Sequence, residues 1–148
     1  MRILELSTEG TVQRHFIAPL AAYLTRQGHT VQQADGTRFS IRRHVSPWDL
    51  VAVLRLLWYL RWQPIDILHV HTAKAGAVGR LAAWLAGTRR VVYTAHDFPF
   101  HNRLPHWKRR LYAWLERQFA KLCQAITVDS PAVKNQGLML GIAPAYKI

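Results

Sequence analysis

The sequence predicts an α/β protein, a Rossmann-like three-layer sandwich with a mostly parallel sheet of about six strands. Short apolar runs rich in β-branched residues alternate along the chain with longer segments whose apolar residues recur at helical spacing. Polar residues follow directly where two of the apolar runs end, in HVHT and in TAHD. Because strands that alternate with helices form parallel sheets, right-handed crossovers between them place helices on both faces.

Most of the predicted strands are short apolar runs bounded by a polar turn, a glycine or a proline. The predicted strands cover residues 2–6, 29–33, 41–45, 66–71, 89–95 and 125–128. Most consecutive strands are separated by a segment long enough for one helix, as expected for repeated β–α units.

The predicted helices begin and end at residues that suit helix termini. The first runs from the polar turn at 7–10 to about residue 27, and the others cover 47–62, 74–86, 105–122 and 131–141. Gly28 and Gly87 suit C-terminal ends, because glycine readily adopts the left-handed conformation there. Ser46 and Ser130 each precede a proline, a pair typical of a cap followed by a first helical turn. Pro19 either starts the regular part of the first helix or kinks it.

The composition indicates one basic globular domain. Its 148 residues are enough for a single core, and half of them are hydrophobic. Twenty Lys and Arg against eight Asp and Glu give a formal net charge of +12, which favours a polyanionic partner or an anionic membrane face. Cys123 is the sole cysteine, so we expect no internal disulfide and a buried thiol in a reducing compartment.

The sequence predicts no export signal and no membrane span. It begins directly on a strand pattern, without a basic start and a small-residue cleavage site. The most lipid-like stretch, 50–62, is too short to cross a bilayer and contains Arg55 and Arg61. We expect a cytoplasmic protein, either soluble or peripheral on the inner face of the plasma membrane. The tryptophans and cations of 107–121 suit an anionic lipid interface, with a solvated basic face as the alternative.

Residues that can carry chemistry cluster where the fourth and fifth predicted strands end. Open α/β sheets bind ligands outside the carboxyl ends of their strands. These two strands deliver His71, Thr72, Lys74 and His96 to that edge. His69 and His71 are two residues apart and face the same way on a regular strand, where a packed or hydrogen-bonded role is expected for His69. A metal site is disfavoured, because it usually needs carboxylates and the chain has only eight acids.

Several candidate residues also have a purely structural interpretation. Lys74 would either favour an anion at a helix N-terminus or be a solvated lysine. Gly76 and Gly79 are expected to allow close contact between helix and sheet, which is favoured over a phosphate cradle. Gly10 is a weak candidate for substrate contact, and Asp97 would either cap a loop or take part in chemistry. No G-x-G-x-x-G is present, so no dinucleotide cofactor is predicted.

Residues 69–101, HVHTAKAGAVGRLAAWLAGTRRVVYTAHDFPFH, are similar to the N-terminal, acceptor-side domain of family 4 glycosyltransferases, which have the GT-B fold. Members of that family often read H-x-H, then a helix with A-G-x-x-G-R, then V-x-T-x-H-G-F. Residues 107–142 fit the next helix, strand and helix, and residues 2–31 fit the first β–α–β unit. The resemblance covers nearly the whole chain and implies a single Rossmann-like domain over 1–148.

The resemblance implies transfer of a sugar from a nucleotide-sugar donor to an acceptor at an interdomain cleft, without a catalytic metal or a further cofactor. His96 would lie in that cleft near the transferred sugar, where an imidazole can act as acid, base or hydrogen-bond partner. The family usually has glycine immediately after this histidine, so an aspartate there alters loop shape and charge. The substrate-binding candidates are His71, Thr72, Lys74, Gly10 and Asp97.

The second Rossmann domain of that family, which carries the nucleotide-binding surface and a paired-glutamate motif, has no counterpart in the sequence. We therefore expect no transfer by these residues alone: either the chain is a truncated product, or a partner chain supplies the donor domain. Bacterial relatives often act on lipid-linked or polysaccharide acceptors in envelope or exopolysaccharide synthesis. The sugar, the nucleotide, the acceptor and the linkage are left open.

Three other functions are weighed against transfer. One is a metal hydrolase, which would contain stoichiometric zinc and is disfavoured by the scarcity of acids. Another is a non-catalytic module that binds anionic lipid or another polyanion at the membrane surface. The third is a nucleic-acid binder, which the basic composition suggests. No RNA- or DNA-binding motif supports it, so no nucleic-acid partner is expected.

Overall fold

The structure, a computed structural model, describes residues 1–42, 44–98 and 104–148. Its centre is a five-stranded sheet in which every neighbouring pair is parallel. The strands are β1 (Arg2–Ser7), β2 (Thr30–Asp35), β3 (Ile67–His71), β4 (Val91–Ala95) and β5 (Ala125–Val128). Their spatial order is β2–β1–β3–β4–β5. This confirms the predicted α/β class, with five strands in place of about six.

The helical segments lie between the strands and after the last of them. They are α1 (Gly10–Val12), α2 (Ala18–Arg26), α3 (Trp48–Trp62), α4 (Ala73–Ala86), α5 (His106–Ala120) and α6 (Pro131–Met139), with a π-helical turn at Gln13–Ile17 and 3₁₀ turns at Gly36–Phe39 and Ala145–Lys147. Pro19 is the second residue of α2, directly after the π-helical turn. Because proline has no N–H to give to the preceding turn, it starts the regular part of this helix.

The helices cover opposite faces of the sheet for a topological reason. From β1 the chain steps to β2 at one edge, and from β2 it steps back past β1 to β3. Right-handed crossovers in opposite directions put α1 and α2 on one face and α3, α4 and α5 on the other. Within that second layer α4 lies between α3 and α5 and contacts both. The three-layer sandwich is therefore confirmed, and its switch point falls between β1 and β3.

The main core lies between the sheet and the α3–α5 layer. Alternate strand residues point into it, including Leu68 and Tyr93, which are fully buried. Two glycines bring α4 close to the sheet: a Cβ added at Gly76 would lie 2.6 Å from the Tyr93 ring, and one at Gly79 would lie 2.4 Å from Val70. The expected role of both glycines in close helix–sheet contact is confirmed.

A buried ion pair fixes α4 against α5. Arg80 is 0% exposed and donates from Nη2 to both carboxylate oxygens of Glu116, at 3.2 and 2.9 Å. Its Nε donates to the carbonyl of Gly76, and its guanidinium lies 4.1 Å from the centroid of the Tyr93 ring. Removing one partner of such a pair would leave an uncompensated buried charge, so the pair holds the two helices in register.

The predicted strand at 41–45 is wrong: residues 41, 42, 44 and 45 form no strand, and residue 43 lies outside the described residues. The chain instead makes the 3₁₀ turn at Gly36–Phe39, followed by Ser40 in the left-handed conformation with φ of 61°. The N–H of Ile41 donates to the carbonyl of Gly36 at 2.8 Å, which closes this turn. Ile41 is 4% exposed, so its apolar side chain serves the core rather than strand pairing.

The helix ends follow most of the predicted signals. Gly28 and Gly87 end their helices in the left-handed conformation, with φ of 83° and 76°. The Ser130 side chain caps α6 as predicted. Ser46 does not cap α3 with its hydroxyl; instead its N–H donates to the carboxylate of Asp49 at 3.1 Å. Between the predicted strand at 89–95 and the predicted helix at 105–122, residues 99–103 are outside the described part of the chain.

The lone thiol is where the sequence suggested. Cys123 is buried, and burial raises the pKa of its thiol above the usual range. The thiol therefore stays protonated at neutral pH, which fits a packing role.

Among residues 1–42, 44–98 and 104–148, the helices lack the length and the apolar character that crossing a membrane requires.

Replacing Gly79 with Ala is predicted to destabilise the protein by about 1–3 kcal/mol, although alanine is the better helix former. The reason is overlap of the new Cβ with Val70, 2.4 Å away. Urea unfolding at neutral pH measures the change in free energy of unfolding. Gly10→Ala is the matched control, because a Cβ there meets nothing within 4 Å. A Gly79→Ala protein as stable as the wild type would contradict the close helix–sheet contact.

Candidate active site at the carboxyl edge of the sheet

A buried carboxylate holds two histidines at the switch point. Glu5 of β1 is 0% exposed and pairs in register with His69 of β3. Nδ1 of His69 lies 3.2 Å from Oε1 and 3.0 Å from Oε2 of Glu5, and Nε2 of His71 lies 2.8 Å from Oε2. Val70 points towards α4, so the histidines on either side of it lie on the opposite face of the sheet. A buried anion is tolerated only with such partners.

The protonation states follow from burial and hydrogen bonding. Burial alone would raise the pKa of Glu5, but hydrogen bonds from His69 and His71 hold that pKa below its usual value. Burial lowers the pKa of His71, so its ring is neutral at neutral pH. Facing a carboxylate, His71 donates from Nε2 and keeps a lone pair on Nδ1. That Nδ1 is buried and has no hydrogen-bond partner within the described residues.

The polar contacts continue across the sheet from β1 to β5. Nε2 of His69 lies 2.7 Å from Oγ1 of Thr94 in β4, which lies 2.6 Å from Oγ1 of Thr127 in β5. With His69 donating from Nδ1 to Glu5, its Nε2 accepts from the Thr94 hydroxyl, and Thr94 accepts from Thr127. We call Glu5, His69, His71, Thr94 and Thr127 the polar row. It fixes the orientation of both imidazoles around one buried carboxylate.

His96 follows β4 directly and stacks on the end of the polar row. Its ring centroid lies 5.6 Å from that of His71, with an interplanar angle of 19°. Phe16 from the π-helical turn covers the ring at 4.6 Å. Nδ1 of His96 lies 3.0 Å from the Asp129 carboxylate, so Nδ1 donates. Nε2 is buried without a partner among the residues that the structure describes. The two histidines predicted to share one edge therefore lie in contact.

Thr72 joins the loops that follow β1 and β3. Its hydroxyl lies 2.9 Å from that of Thr8. Its backbone has φ of 69° and ψ of 152°, a conformation that β-branched residues rarely adopt and that costs about 1–3 kcal/mol. Such strain persists only where the surroundings fix it, and it is concentrated at functional sites. The structure thus gives Thr72 a defined place at the predicted edge.

The other predicted contacts have different surroundings. Lys74 directs its ammonium to the Asp49 carboxylate and to the carbonyl of His44, so its charge ties α4 to the start of α3. Gly10 begins α1 and is exposed, with open space where a Cβ would be. Asp97 is exposed in the turn after β4. For Lys74, Gly10 and Asp97, contact with substrate stays a prediction.

Glu5, His69 and His71 also place three possible metal-ligand atoms within 4.8 Å of one another. A carboxylate with two imidazoles suits Zn²⁺ or a related transition metal. In this structure both imidazoles bond to the carboxylate, so hydrogen bonds account for the clustering of these three side chains. The sequence-based argument against a metal rested on scarce carboxylates, and it overlooked this one.

Sequence reasoning missed Glu5 and Asp129, the two carboxylates that orient the histidines. The signal for Glu5 was present in RILELS, where a lone acid lies between two leucines. Strands of a parallel sheet are buried on both faces, so an acid in the middle of one needs a buried partner. The nearby H-x-H supplies it. Asp129 lies 33 residues from His96, and no local pattern links the two.

A Rossmann-like parallel sheet with polar side chains gathered at its switch point defines a class of α/β domains that bind ligands at that edge. Within that class, the chain belongs to the family of glycosyl transferase 4-like domains, whose model matches residues 10–148. The resemblance stated from residues 69–101 is thereby confirmed.

Two curated relatives match parts of the chain. It is 38% identical over 73 residues to the "UDP-Gal:alpha-D-GlcNAc-diphosphoundecaprenol alpha-1,3-galactosyltransferase" of Escherichia coli, which covers 49% of this chain and 19% of that protein. It is 27% identical over 133 residues to an "Uncharacterized 41.2 kDa protein in cps region" of Klebsiella pneumoniae, which covers 86% of this chain and 36% of that protein.

Two solved structures share the fold. MurG of Acinetobacter baumannii matches with a TM-score of 0.62 and 15% identity, covering 89% of this chain and 41% of that one. Anabaena HepE, in complex with UDP and glucose, matches with a TM-score of 0.62 and 17% identity, covering 99% of this chain and 43% of that one. Both are GT-B proteins, and at these identities they establish the fold. The chain spans less than half the length of each of the four matched proteins.

The free energy of unfolding is predicted to fall as the pH drops below about 6.5, because His71 is harder to protonate in the folded state. A histidine with a lowered folded pKa binds fewer protons when folded, so its stabilising contribution is complete above the unfolded pKa and is lost below it. The slope from His71 alone is at most about 1.4 kcal/mol per pH unit. The pKa of Glu5 is also lowered, so a second loss begins below about 4.5.

Urea unfolding at several values between about pH 8 and pH 5 measures this slope. His71→Gln removes the buried titrating group and should flatten the slope in that range. His106→Gln is the matched control, because His106 is exposed at the start of α5. An unchanged slope in His71→Gln would contradict the assignment of the pH dependence to His71.

Proposed function

We propose that the chain is the acceptor-side half of a retaining glycosyltransferase. It would act in cell-envelope or exopolysaccharide synthesis, moving a sugar from a nucleotide-sugar donor to a lipid-linked or polysaccharide acceptor. The observation that carries the proposal is the stacked pair His71 and His96 at the switch point, each with one buried nitrogen unpaired among the described residues. Membership of the family and the printed names of the relatives support it: UDP-Gal and a diphosphoundecaprenol in one, a cps region in the other.

The proposed reaction joins the anomeric carbon of the sugar to a hydroxyl oxygen of the acceptor and breaks its bond to the nucleoside diphosphate. The acceptor proton leaves with the departing phosphate or to water. His96 would accept a hydrogen bond from a sugar hydroxyl at Nε2, since Asp129 holds the proton on Nδ1. An imidazole held in one orientation positions the sugar in the cleft, as preorganised catalysis requires.

His71 and Thr72 would support His96. Because Nε2 of His71 is bonded to Glu5, the lone pair on Nδ1 keeps one orientation. Thr72 carries a hydroxyl at the junction of the first two loops of the switch point. Both would contact the acceptor or the transferred sugar beside His96. Lys74 would reach a phosphate only by giving up its contact with Asp49.

The donor nucleotide would bind to a second Rossmann domain, in a longer polypeptide or on a partner chain. The support for a second domain is length: this chain matches less than half of each of the four similar proteins. A lipid-linked acceptor would place the enzyme peripherally on the inner face of the plasma membrane.

The alternative function is binding without catalysis. In that case the domain would be a module for anionic lipid or another polyanion at the membrane surface. The net charge of +12 favours it. In that function the polar row would be purely structural. The presence or absence of sugar transfer separates the two.

The purified chain is predicted to transfer no sugar by itself and to support transfer when a donor-binding Rossmann domain is supplied, joined after Ile148 or added as a separate chain. The reason is that both halves of the cleft are needed to orient donor and acceptor. Release of the nucleoside diphosphate that depends on added acceptor measures the reaction. Transfer by the chain alone would contradict the predicted division of labour.

His96→Ala tests the role of the imidazole in the same assay, and His106→Ala is its control. It should lower kcat/KM in the complete enzyme by roughly 10²–10⁴-fold if the imidazole contacts the reacting sugar. His106→Ala, at an exposed position of α5, should leave the rate unchanged. If a folded chain with a competent donor domain gives no transfer, the binding-module alternative replaces the proposal. If transfer occurs and both variants behave alike, the proposed contact between His96 and the reacting sugar is wrong.

A further inference from the structure

We infer that the outer surface of the α3–α5 layer docks onto an anionic phospholipid bilayer, with tryptophans seated at the headgroup level. The inference rests on the proposed function only for the presence of a membrane nearby. It adds which face of the protein meets the lipid and by what chemistry. It is independent of the polar row, which lies on the other face of the sheet.

The exposure of the tryptophans is the first observation. Tryptophan is highly buried on average in globular proteins, yet all six in this chain are more than half exposed. All six belong to the three adjacent helices α3, α4 and α5. We call them the tryptophan face: Trp48, Trp58, Trp62, Trp84, Trp107 and Trp114. No tryptophan contributes to the core, so the chain keeps this residue type for its surface.

The helices carry these residues on outward stripes. In α3, Leu50, Leu54, Trp58 and Trp62 recur every four residues and are 47–72% exposed. The rings of Trp58 and Trp62 stack at 6.1 Å. The inward side of α3 is apolar as well, so core burial explains only half of this helix. An apolar outer side that is continuous over several turns is typical of a surface that binds a partner or a lipid interface.

The second helix of this kind is α5. Trp107, Leu111 and Trp114 follow one another at spacings of four and three and are 44–64% exposed. The buried residues of α5 are two alanines and Glu116. The large apolar residues of this stripe therefore face outward. The inward side of α5 is partly apolar as well, because the half-buried Tyr112 packs against the core. Core packing thus does not account for the apolar outer side.

The charges around the tryptophan face are mostly positive. Helices α3, α4 and α5 contain two acids, Asp49 and Glu116, and both are engaged with Lys74 and Arg80. The other cations of these helices have no acidic partner within the described part of the chain: Arg55, Arg61, Lys108, Arg109, Arg110 and Arg117. A surface that combines exposed tryptophan and leucine with unpaired cations matches the interface of an anionic bilayer.

A bilayer fits these observations better than a second copy of the chain. A two-fold dimer through this surface would bring the same cations of both copies together, and like charges across an interface cost several kcal/mol. It also fits better than single-stranded nucleic acid, which gains from aromatic stacking but not from exposed Leu50, Leu54 and Leu111. Lipid satisfies the aromatic, aliphatic and cationic groups at once.

Co-sedimentation of the 148-residue chain with lipid vesicles tests the inference. The probe is phosphatidylcholine vesicles with or without about 30% phosphatidylglycerol, at low and raised salt. We expect binding to the anionic vesicles, a blue shift of tryptophan emission on binding, and release by salt. The assay uses no sugar donor, so it succeeds or fails independently of the proposed transfer.

Two pairs of variants locate the surface. Trp58→Gln with Trp62→Gln should weaken partitioning by about tenfold or more. Arg55→Gln with Arg61→Gln should weaken it by roughly fivefold per charge removed. The matched controls lie elsewhere: Tyr23→Gln with Met139→Gln, which are exposed apolar residues outside the α3–α5 layer, and Arg14→Gln with Arg26→Gln on the opposite face. The controls should bind like the wild type.

Several outcomes would overturn the inference. One is no binding to the anionic vesicles by a folded protein. Another is equal loss in the control variants, which would indicate a diffuse electrostatic attraction. Self-association in the absence of lipid that Trp58→Gln with Trp62→Gln abolishes would assign the surface to a second copy. Binding to single-stranded DNA with the same tryptophan dependence, and none to vesicles, would assign it to nucleic acid.

Discussion

The carboxyl edge of this sheet depends on one buried anion, the carboxylate of Glu5. It lies at 0% exposure and accepts hydrogen bonds from two imidazoles of the neighbouring strand. A carboxylate in that position is stable only while both partners remain in place. In turn it determines which nitrogen of His71 carries the proton and which nitrogen keeps its lone pair. The chemistry that the site can perform is therefore set by a residue that no ligand would touch.

Different interactions stabilise the two faces of the sheet. On the side of α3–α5 the contact is apolar and close, with glycines in α4 allowing the helix to approach Val70 and Tyr93. On the side of α1 and α2 a row of polar groups crosses four strands and ends beneath His96. The first face gives the domain its rigidity. The second uses that rigidity to hold imidazoles in fixed orientations at the switch point, as preorganised catalysis requires.

Local patterns in the sequence were sufficient for the fold and for the gathering of His71, Thr72 and His96 at one edge, because each depends on strand and helix periodicity. The same patterns could not predict side-chain contacts between residues that are far apart in the sequence. Glu5 lies 66 residues from His71, and Lys74 forms an ion pair with Asp49, which is 25 residues away. The segment 41–45 was mistaken for a strand because a single buried residue, Ile41, and strand pairing both favour β-branched residues. Periodicity also could not show that the tryptophan stripes face outward, since a core and a lipid interface favour the same residues.

Glu5 fixes His71 as a neutral imidazole with its proton on Nε2. Long-range proton–nitrogen correlation spectra of the histidine side chains can show this, since they distinguish the two neutral tautomers and the cation. At neutral pH we expect His71 to be neutral, with Nε2 protonated and Nδ1 bare, and we expect Glu5→Gln to disturb this state while His106 is unaffected. A His71 that is cationic at neutral pH, or that carries its proton on Nδ1, would mean that Glu5 does not hold the ring in this state.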